Sequence, residues 1–141
     1  MLIRCLLVLA LVSHTLILIA QNETDYYNKA YAQLQYQNYQ EAHALVCKAL
    51  ELKPDYADAH ALRGDCNYYM EAYDKAIADY EKDDTYKKSR GSYSLACTYA
   101  LAGNIDKAFK ALEANLNSEY KVAMSAIIGD KDLETYIKHL K

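Results

Sequence analysis

The sequence predicts an all-α fold, an α-solenoid of three helix pairs followed by C-terminal capping helices. Apolar residues recur at helical spacing, small and aromatic residues repeat about every 34 positions, and 141 residues include only four glycines and one proline. So few turn-forming residues argue against an all-β sandwich or barrel, which needs a turn about every 8–12 residues. The content of 52% apolar and 25% charged residues predicts a packed core.

Residues 1–20 differ from the rest of the chain and are expected to be a signal peptide. Arg4 is the only charged residue among them, an apolar stretch follows it, and Ala20 precedes a polar region. This order is typical of secretory signals. Cleavage after Ala20 predicts an exported protein, periplasmic or secreted. The alternative is an uncleaved membrane anchor, because about 20 apolar residues can span a bilayer.

An internal repeat is the strongest signal after residue 20. Ala42, Ala76 and Ala108 each end a similar tetrapeptide, and they are separated by 34 and 32 residues. A small residue lies twelve positions before each alanine and an apolar residue lies four after it. The small residues are Ala30, Gly64 and Ala96, and the apolar ones are Val46, Tyr80 and Leu112. Because helices approach closely only where side chains are short, the small residues predict the contacts within three helix pairs.

The repeat region is predicted at residues 21–118, with helix pairs at about residues 23–56, 57–88 and 89–118. The turns inside the pairs fall at residues 37–38, 71–72 and 103–104, and only the third contains a glycine suited to a left-handed helix end. Pro54 is expected to end the second helix of the first pair, because proline cannot continue a helix.

Residues 119–141 are predicted to cap the array. Leu133, Tyr136, Ile137 and Leu140 have the spacing of a helix with one apolar side. A solenoid needs a terminal unit with a polar outer surface. Lys131, Asp132, Glu134, Lys138 and Lys141 are expected to form that surface.

These repeats resemble the tetratricopeptide-repeat family. The resemblance rests on YQEAHALVCKALELKP from Tyr39 to Pro54, YDKAIADYEK from Tyr73 to Lys82 and SLACTYALAGNIDKAFKAL from Ser94 to Leu112. The chain departs from the family pattern at Gln33 and Asn67, where the first helix normally has an aromatic residue. The resemblance implies a non-enzymatic module that binds proteins, with the first helix of each pair lining a concave groove.

The predicted groove residues are rich in tyrosine, which is common at interfaces because its ring is large and its hydroxyl forms hydrogen bonds. They are Tyr27, Tyr31, Leu34, Asp65, Tyr68, Tyr69, Tyr93 and Cys97. The alternative is that these rings fill the groove or contact the C-terminal helices. Four other tyrosines are expected to pack the helix pairs, namely Tyr39, Tyr73, Tyr80 and Tyr99.

The sequence contains no pattern for catalysis, metal binding or a cofactor. There is no HExxH, GxSxG or glycine-rich phosphate loop. Cys47, Cys66 and Cys97 are expected to be small buried residues. The alternative is a thiol enzyme that uses Cys97 or Cys66, for example with His60 as its partner. The net charge of −3, without a basic patch, argues against nucleic acid as a partner.

The function expected from these observations is that of a module holding a peptide or partner helix in its groove, in the assembly or maintenance of an envelope complex. The partner is expected to be a protein, with no membrane contact after cleavage. If residues 1–20 are retained, a membrane-tethered structural spacer is the alternative.

Overall fold

The computed structural model describes residues 22–86, 91–119, 122, 127 and 129–137. The expected signal peptide, the boundary between residues 88 and 89, and Leu140 lie outside these ranges. Most of the apolar run before Gly129 lies outside them as well.

Seven helices are present in the described ranges. They are α1 Glu23–Gln35, α2 Tyr39–Leu52, α3 Ala57–Tyr69, α4 Tyr73–Tyr86, α5 Ser92–Leu101, α6 Ile105–Leu116 and α7 Lys131–Ile137. The strongest contacts join α1 with α2, α3 with α4, and α5 with α6. Successive pairs meet through α2 with α3 and α4 with α5, while α7 packs against α5. The predicted all-α solenoid of three helix pairs with a C-terminal cap is therefore confirmed.

The repeated small residues lie where the paired helices are in closest contact. Ala30, Ala42, Ala76 and Ala96 are fully buried, and Gly64 is buried as well. A β-carbon added to Gly64 would lie 2.6 Å from Cε1 of Tyr80. Glycine at this position is thus required by the close approach of the Tyr80 ring.

The turn inside each pair uses the same left-handed helix end. Gln37, Glu71 and Gly103 have φ angles of 61°, 59° and 77°. The amide of the following residue donates to a carbonyl five residues back in all three turns, as in Asn38 to Gln33. This is the Schellman motif, and only Gly103 adopts its geometry without a steric cost. Gly103 is the glycine expected at a left-handed helix end, and the first two turns adopt the same conformation with Gln37 and Glu71.

A partly buried ionic cluster joins the two helices of the second pair. Arg63 on α3 makes a two-pronged contact with Asp79 on α4, through Nε at 2.9 Å and Nη2 at 2.5 Å. Asn67 donates from Nδ2 to the same carboxylate at 2.9 Å. Asn67 lies at the position where the tetratricopeptide pattern has an aromatic residue, and here its amide belongs to this cluster.

The cap contributes to the core of the third pair. Leu133 on α7 and Ile127 before it are buried in a cluster with Leu95 and Tyr99. The expected apolar side of α7 is therefore confirmed at Leu133, whereas the side chains of Tyr136 and Ile137 are not described. None of the helices in the described ranges is long and apolar enough to cross a membrane.

Candidate functional site

Five of the eight predicted groove residues line one cavity. They are Asp65, Tyr68, Tyr69, Tyr93 and Cys97, and the cavity has a volume of about 180 Å³. Asp65, Tyr68 and Tyr69 come from the second half of α3, whereas Tyr93 and Cys97 lie one turn apart on α5. These positions share a face because helical residues three or four apart are neighbours on the surface. The first helices of the second and third pairs thus form two walls of the cavity.

Four further residues line the same cavity and were not predicted for it. They are Tyr80, Ser94, Asp130 and Asp132. Asp132 was expected on the polar outer surface of the cap, and that expectation was wrong, because its carboxylate faces the cavity. Tyr80 was expected to pack the helix pair, and it does so, being only 3% exposed, while its ring also reaches the cavity.

The carboxylates of the cavity accept hydrogen bonds from tyrosine hydroxyls. Tyr93 donates to Asp130 over 2.5 Å, and Tyr68 donates to Asp132. The Tyr80 hydroxyl on α4 donates to Asp65 on α3 over 2.7 Å. Tyr68 and Tyr93 therefore contact the C-terminal cap, as the alternative interpretation of the groove tyrosines expected.

The environment keeps these phenols protonated. Burial, and then the hydrogen bond to Asp132, raises the pKa of Tyr68 above its ordinary value. Burial and the Asp130 carboxylate act in the same way on the pKa of Tyr93. Each phenol therefore acts as a neutral hydrogen-bond donor at physiological pH. The lining thus consists of carboxylates, neutral hydroxyls and aromatic rings.

Tyr69 lies at the mouth of the cavity and is 54% exposed. Its ring stacks on Tyr39 of α2 with centroids 4.8 Å apart and an interplanar angle of 11°. The Tyr68 ring meets it edge to face at 5.3 Å. Aromatic contacts on both sides hold an exposed ring in place, so Tyr69 presents a fixed aromatic surface to solvent.

The three remaining groove residues lie on α1, outside this cavity. Tyr31 is 50% exposed and stacks on Tyr27 with centroids 6.5 Å apart. Tyr27 also contacts the ring of Tyr56, at the start of α3, at 5.2 Å. Tyr27 and Leu34 are partly buried and pack against the core of the first pair. Of this group, Tyr31 offers the larger exposed aromatic surface.

The thiols lack the surroundings of a catalytic cysteine. Burial, followed by the charge of Asp130, raises the pKa of Cys97 to about 12, and burial raises that of Cys66 to about 12. His60 is directed instead to the carbonyl of Pro54, which lies 2.9 Å from its Nε2. The proposed pairing of Cys97 with His60 is therefore absent, and the nucleophilic thiolate is disfavoured at both cysteines.

A different thiol and histidine lie closer together. Sγ of Cys47 is 3.8 Å from Nδ1 of His43, one turn earlier on α2. Burial, and then the charge of Arg63, lowers the pKa of His43. The four-residue spacing of this pair is visible in the sequence. Any two residues four apart on a helix are neighbours, so the spacing alone does not indicate a site.

One group of side chains has the spacing of metal ligands. Sγ of Cys97 and one carboxylate oxygen from each of Asp130 and Asp132 lie within 4.8 Å of one another. No ligand spacing in the sequence predicted this group, because Cys97 and Asp130 are 33 residues apart and belong to different structural units. The high pKa of the Cys97 thiol opposes the deprotonated form that binds metals.

Comparison with solved structures supports the architecture. A crystal structure of MamA protein is 30% identical to this chain, with a TM-score of 0.64, over 77% of this chain and 63% of the other. A second MamA structure is 26% identical, with a TM-score of 0.63, over 84% and 61% of the two chains. This chain thus spans about three fifths of the length of the MamA chains.

A more distant similarity is to SycD from Yersinia enterocolitica, a type III secretion chaperone solved in complex with a peptide of the translocator YopD. The identity is 19% and the TM-score is 0.63, over 83% of this chain and 85% of SycD. This similarity concerns the fold alone. No protein-family model and no curated protein matched the sequence.

Proposed function

Because this chain is a tetratricopeptide-like helical repeat protein, we propose that it is a non-enzymatic interaction module that holds a peptide or partner helix against the first helices of its pairs. The supporting observation is the exposed aromatic surface beside an open cavity, formed by Tyr69 over the cavity and Tyr31 on α1. Direct contact between α1 and α3 connects the helices that carry them. SycD, with a similar fold, was solved with a bound peptide, which supports a peptide as the ligand.

The rings give this surface the character of a binding site because they are already ordered. Tyr69 is fixed by Tyr39 and Tyr68, and Tyr31 is supported by Tyr27. Binding of a partner over these rings therefore costs little side-chain entropy, because the rings are already held in place. Tyrosine also supplies a hydroxyl for the polar groups of an incoming backbone.

Selection from a random peptide display library on the full chain tests the proposal. We expect enrichment of peptides that bind the wild-type protein, followed by measurement of their dissociation constants by calorimetry. Changing both Tyr31 and Tyr69 to alanine should weaken binding by about tenfold or more, since truncated aromatic anchors commonly cost over 1 kcal/mol each.

Tyr36→Ala is the matched control, because Tyr36 is 76% exposed but lies at the end of α1, outside the proposed surface. This variant should bind the selected peptides with unchanged affinity. Failure to enrich any peptide, or equal affinity of the double variant and the control, would show that these rings do not form a peptide-binding surface.

We also propose that the protein acts outside the cytoplasm, in the assembly or maintenance of an envelope complex. The support is the composition of residues 1–20, which is that of a secretory signal. Sequencing the N-terminus of protein recovered from the producing cells should find Gln21 first. An intact Met1 in the membrane fraction would instead indicate the tethered form.

A further inference from the structure

Cys47 differs from the other two cysteines that the structure describes, because its thiol is partly exposed. Cys66 and Cys97 are buried, and burial raises the pKa of each to about 12, which opposes the reactive thiolate. The thiols that react readily in proteins are partly exposed and lie in electropositive surroundings. The groups around Cys47 therefore determine what this thiol can do.

A proton acceptor and a permanent cation lie beside the Cys47 thiol, and they come from two different helices. Nδ1 of His43 on α2 is 3.8 Å from Sγ. Burial, and then the charge of Arg63, lowers the pKa of His43, so its imidazole is neutral at physiological pH and one ring nitrogen can accept a proton. The hydrogen bond to Asp79, and to a smaller extent contact with Cys47, raises the pKa of Arg63 on α3, which keeps the guanidinium charged.

The two neighbours of the thiol, His43 and Arg63, also form part of the wall of an open cavity of about 320 Å³. Lys75 on α4 adds a second permanent positive charge to the described lining. The carboxylate in that lining is Asp79, which is held by Arg63. Two cations and one carboxylate leave an excess of positive charge, so the cavity favours small anions over small cations. Its volume lies in the range of about 300–1,000 Å³ that is typical of sites for small molecules.

We propose that Cys47 is a modification site, at which the thiol forms a mixed disulfide with a low-molecular-weight disulfide that carries carboxylate groups. The carboxylates meet the positively charged wall of the cavity while one sulfur of the reagent reaches Sγ of Cys47. The inference goes beyond the proposed function, because it concerns a different cavity and does not depend on a bound peptide.

The reaction is a thiol–disulfide exchange. His43 accepts the proton of the Cys47 thiol, and the resulting thiolate attacks one sulfur of the reagent. A new S–S bond forms to Cys47 as the S–S bond of the reagent breaks. The leaving thiolate takes the proton back from His43 and becomes a free thiol. The sulfur of Cys47 is oxidised and the leaving sulfur is reduced, so the exchange needs no other oxidant.

The first experiment compares three small disulfides that differ in the charge at the ends of otherwise similar arms. They are dithiodipropionate, a dianion, hydroxyethyl disulfide, which is neutral, and cystamine, a dication. Each reagent reacts with the full chain at neutral pH and low ionic strength, and mass spectrometry measures the rate and locates the adduct. Each rate is divided by the rate of the same chain unfolded in urea, which corrects for the intrinsic reactivity of the reagent.

The folded chain should carry the adduct on Cys47. In the corrected rates we expect a preference of about tenfold for the dianion over the neutral reagent, because a positively charged cleft concentrates anions. Cystamine should react more slowly than the neutral reagent. Equal corrected rates for all three reagents, or an adduct that forms first on Cys66 or Cys97, would overturn the proposal.

The second experiment removes charge from the cavity wall. Lys75→Gln should reduce the preference for the dianion several-fold, since it removes the excess positive charge and leaves the contact between Arg63 and Asp79 in place. Lys29→Gln is the matched control, because Lys29 is exposed on α1, outside the described lining of the cavity. Circular dichroism of each variant confirms its fold. An equal loss of preference in both variants would show that overall charge selects the reagent, and the proposal would be wrong.

A disulfide between two copies of the chain through Cys47 is the competing product. Non-reducing electrophoresis detects it as a covalent dimer. We expect the reacted chain to remain a monomer that carries the small adduct, and addition of a thiol reductant should restore the free Cys47. Conversion of the adduct into the covalent dimer would instead identify Cys47 as a contact between copies and would overturn the proposal.

Discussion

Gly64→Ala probes the closest approach within the second helix pair. The new β-carbon would lie 2.6 Å from Cε1 and 2.8 Å from Cδ1 of Tyr80, so the ring must move by about 0.8 Å to reach an ordinary contact of 3.4 Å. The ring is 3% exposed, and its hydroxyl is held by Asp65 at 2.7 Å. Movement therefore disturbs both the packing and a hydrogen bond to a charged group.

The expected magnitude combines two opposing effects. Overpacking a core costs about 1–3 kcal/mol, whereas alanine in a helix interior gains about 1 kcal/mol over glycine. The displaced Tyr80 hydroxyl weakens a hydrogen bond to a carboxylate, of a type that contributes about 1.5–3 kcal/mol. The packing cost less the helix gain is about 0–2 kcal/mol, and the weakened hydrogen bond adds to the cost. We therefore expect Gly64→Ala to lower the free energy of unfolding by about 1–2 kcal/mol.

Urea denaturation followed by far-ultraviolet circular dichroism measures this effect. A double-mutant cycle with Tyr80→Leu should show that the cost of Gly64→Ala largely disappears when the ring is absent, because contacting residues are energetically coupled. Gly103→Ala is the control, since nothing lies within 4 Å of its added β-carbon and its cost arises from φ alone. That cost should be unchanged by Tyr80→Leu. A Gly64→Ala protein as stable as wild type would refute the assigned contact.

Three other changes test separate features. Glu71→Gly should raise the free energy of unfolding by about 0.5–1 kcal/mol, since it removes left-handed strain of about 1–2 kcal/mol but adds unfolded-state entropy, and a lower urea midpoint would contradict the strained turn. Asp79→Ala should lower the free energy of unfolding by about 3 kcal/mol, because the half-buried Arg63 loses its partner. Asp79→Asn should cost less, and equal costs of the two variants would contradict the role of the ion pair. Iodoacetamide should alkylate native Cys97 far more slowly than partly exposed Cys47, with a rate that rises with pH toward its pKa of about 12, and rapid reaction at neutral pH would support a catalytic thiol.

The repeat register allowed the helix pairs to be predicted, because each pair needs short side chains at its contact. Ala30, Ala42 and Ala76 followed directly from this requirement and are fully buried. The left-handed ends at Gln37 and Glu71 could not be recognised from residue type, since neither is glycine or asparagine. Their positions in the repeat, 34 residues apart, were the available signal.

The same reasoning could not predict the acidic side of the cavity. Helical spacing identifies the apolar side of α7 through Leu133, but it does not say which neighbour the polar residues beside it will meet. Asp130 and Asp132 reach Tyr93 and Tyr68 only because the cap folds back on α5, a contact over 37 and 64 residues. No repeat relates these positions, so local pattern alone placed Asp132 on the wrong surface.

Four of the fifteen tyrosines, in a chain with one phenylalanine, connect helices to one another or to the cap through their hydroxyls. Tyr80, Tyr93 and Tyr68 each place a ring in or beside the core and a hydroxyl on a carboxylate of another helix or of the cap. Tyr99 on α5 does the same with Glu81 on α4, over 2.6 Å. Phenylalanine would supply the buried area but would remove this hydroxyl donor from each carboxylate, and a hydrogen bond to a charged group contributes about 1.5–3 kcal/mol. The residues that make these hydrogen bonds at Asp65, Asp130 and Asp132 also line the cavity between the second pair, the third pair and the cap.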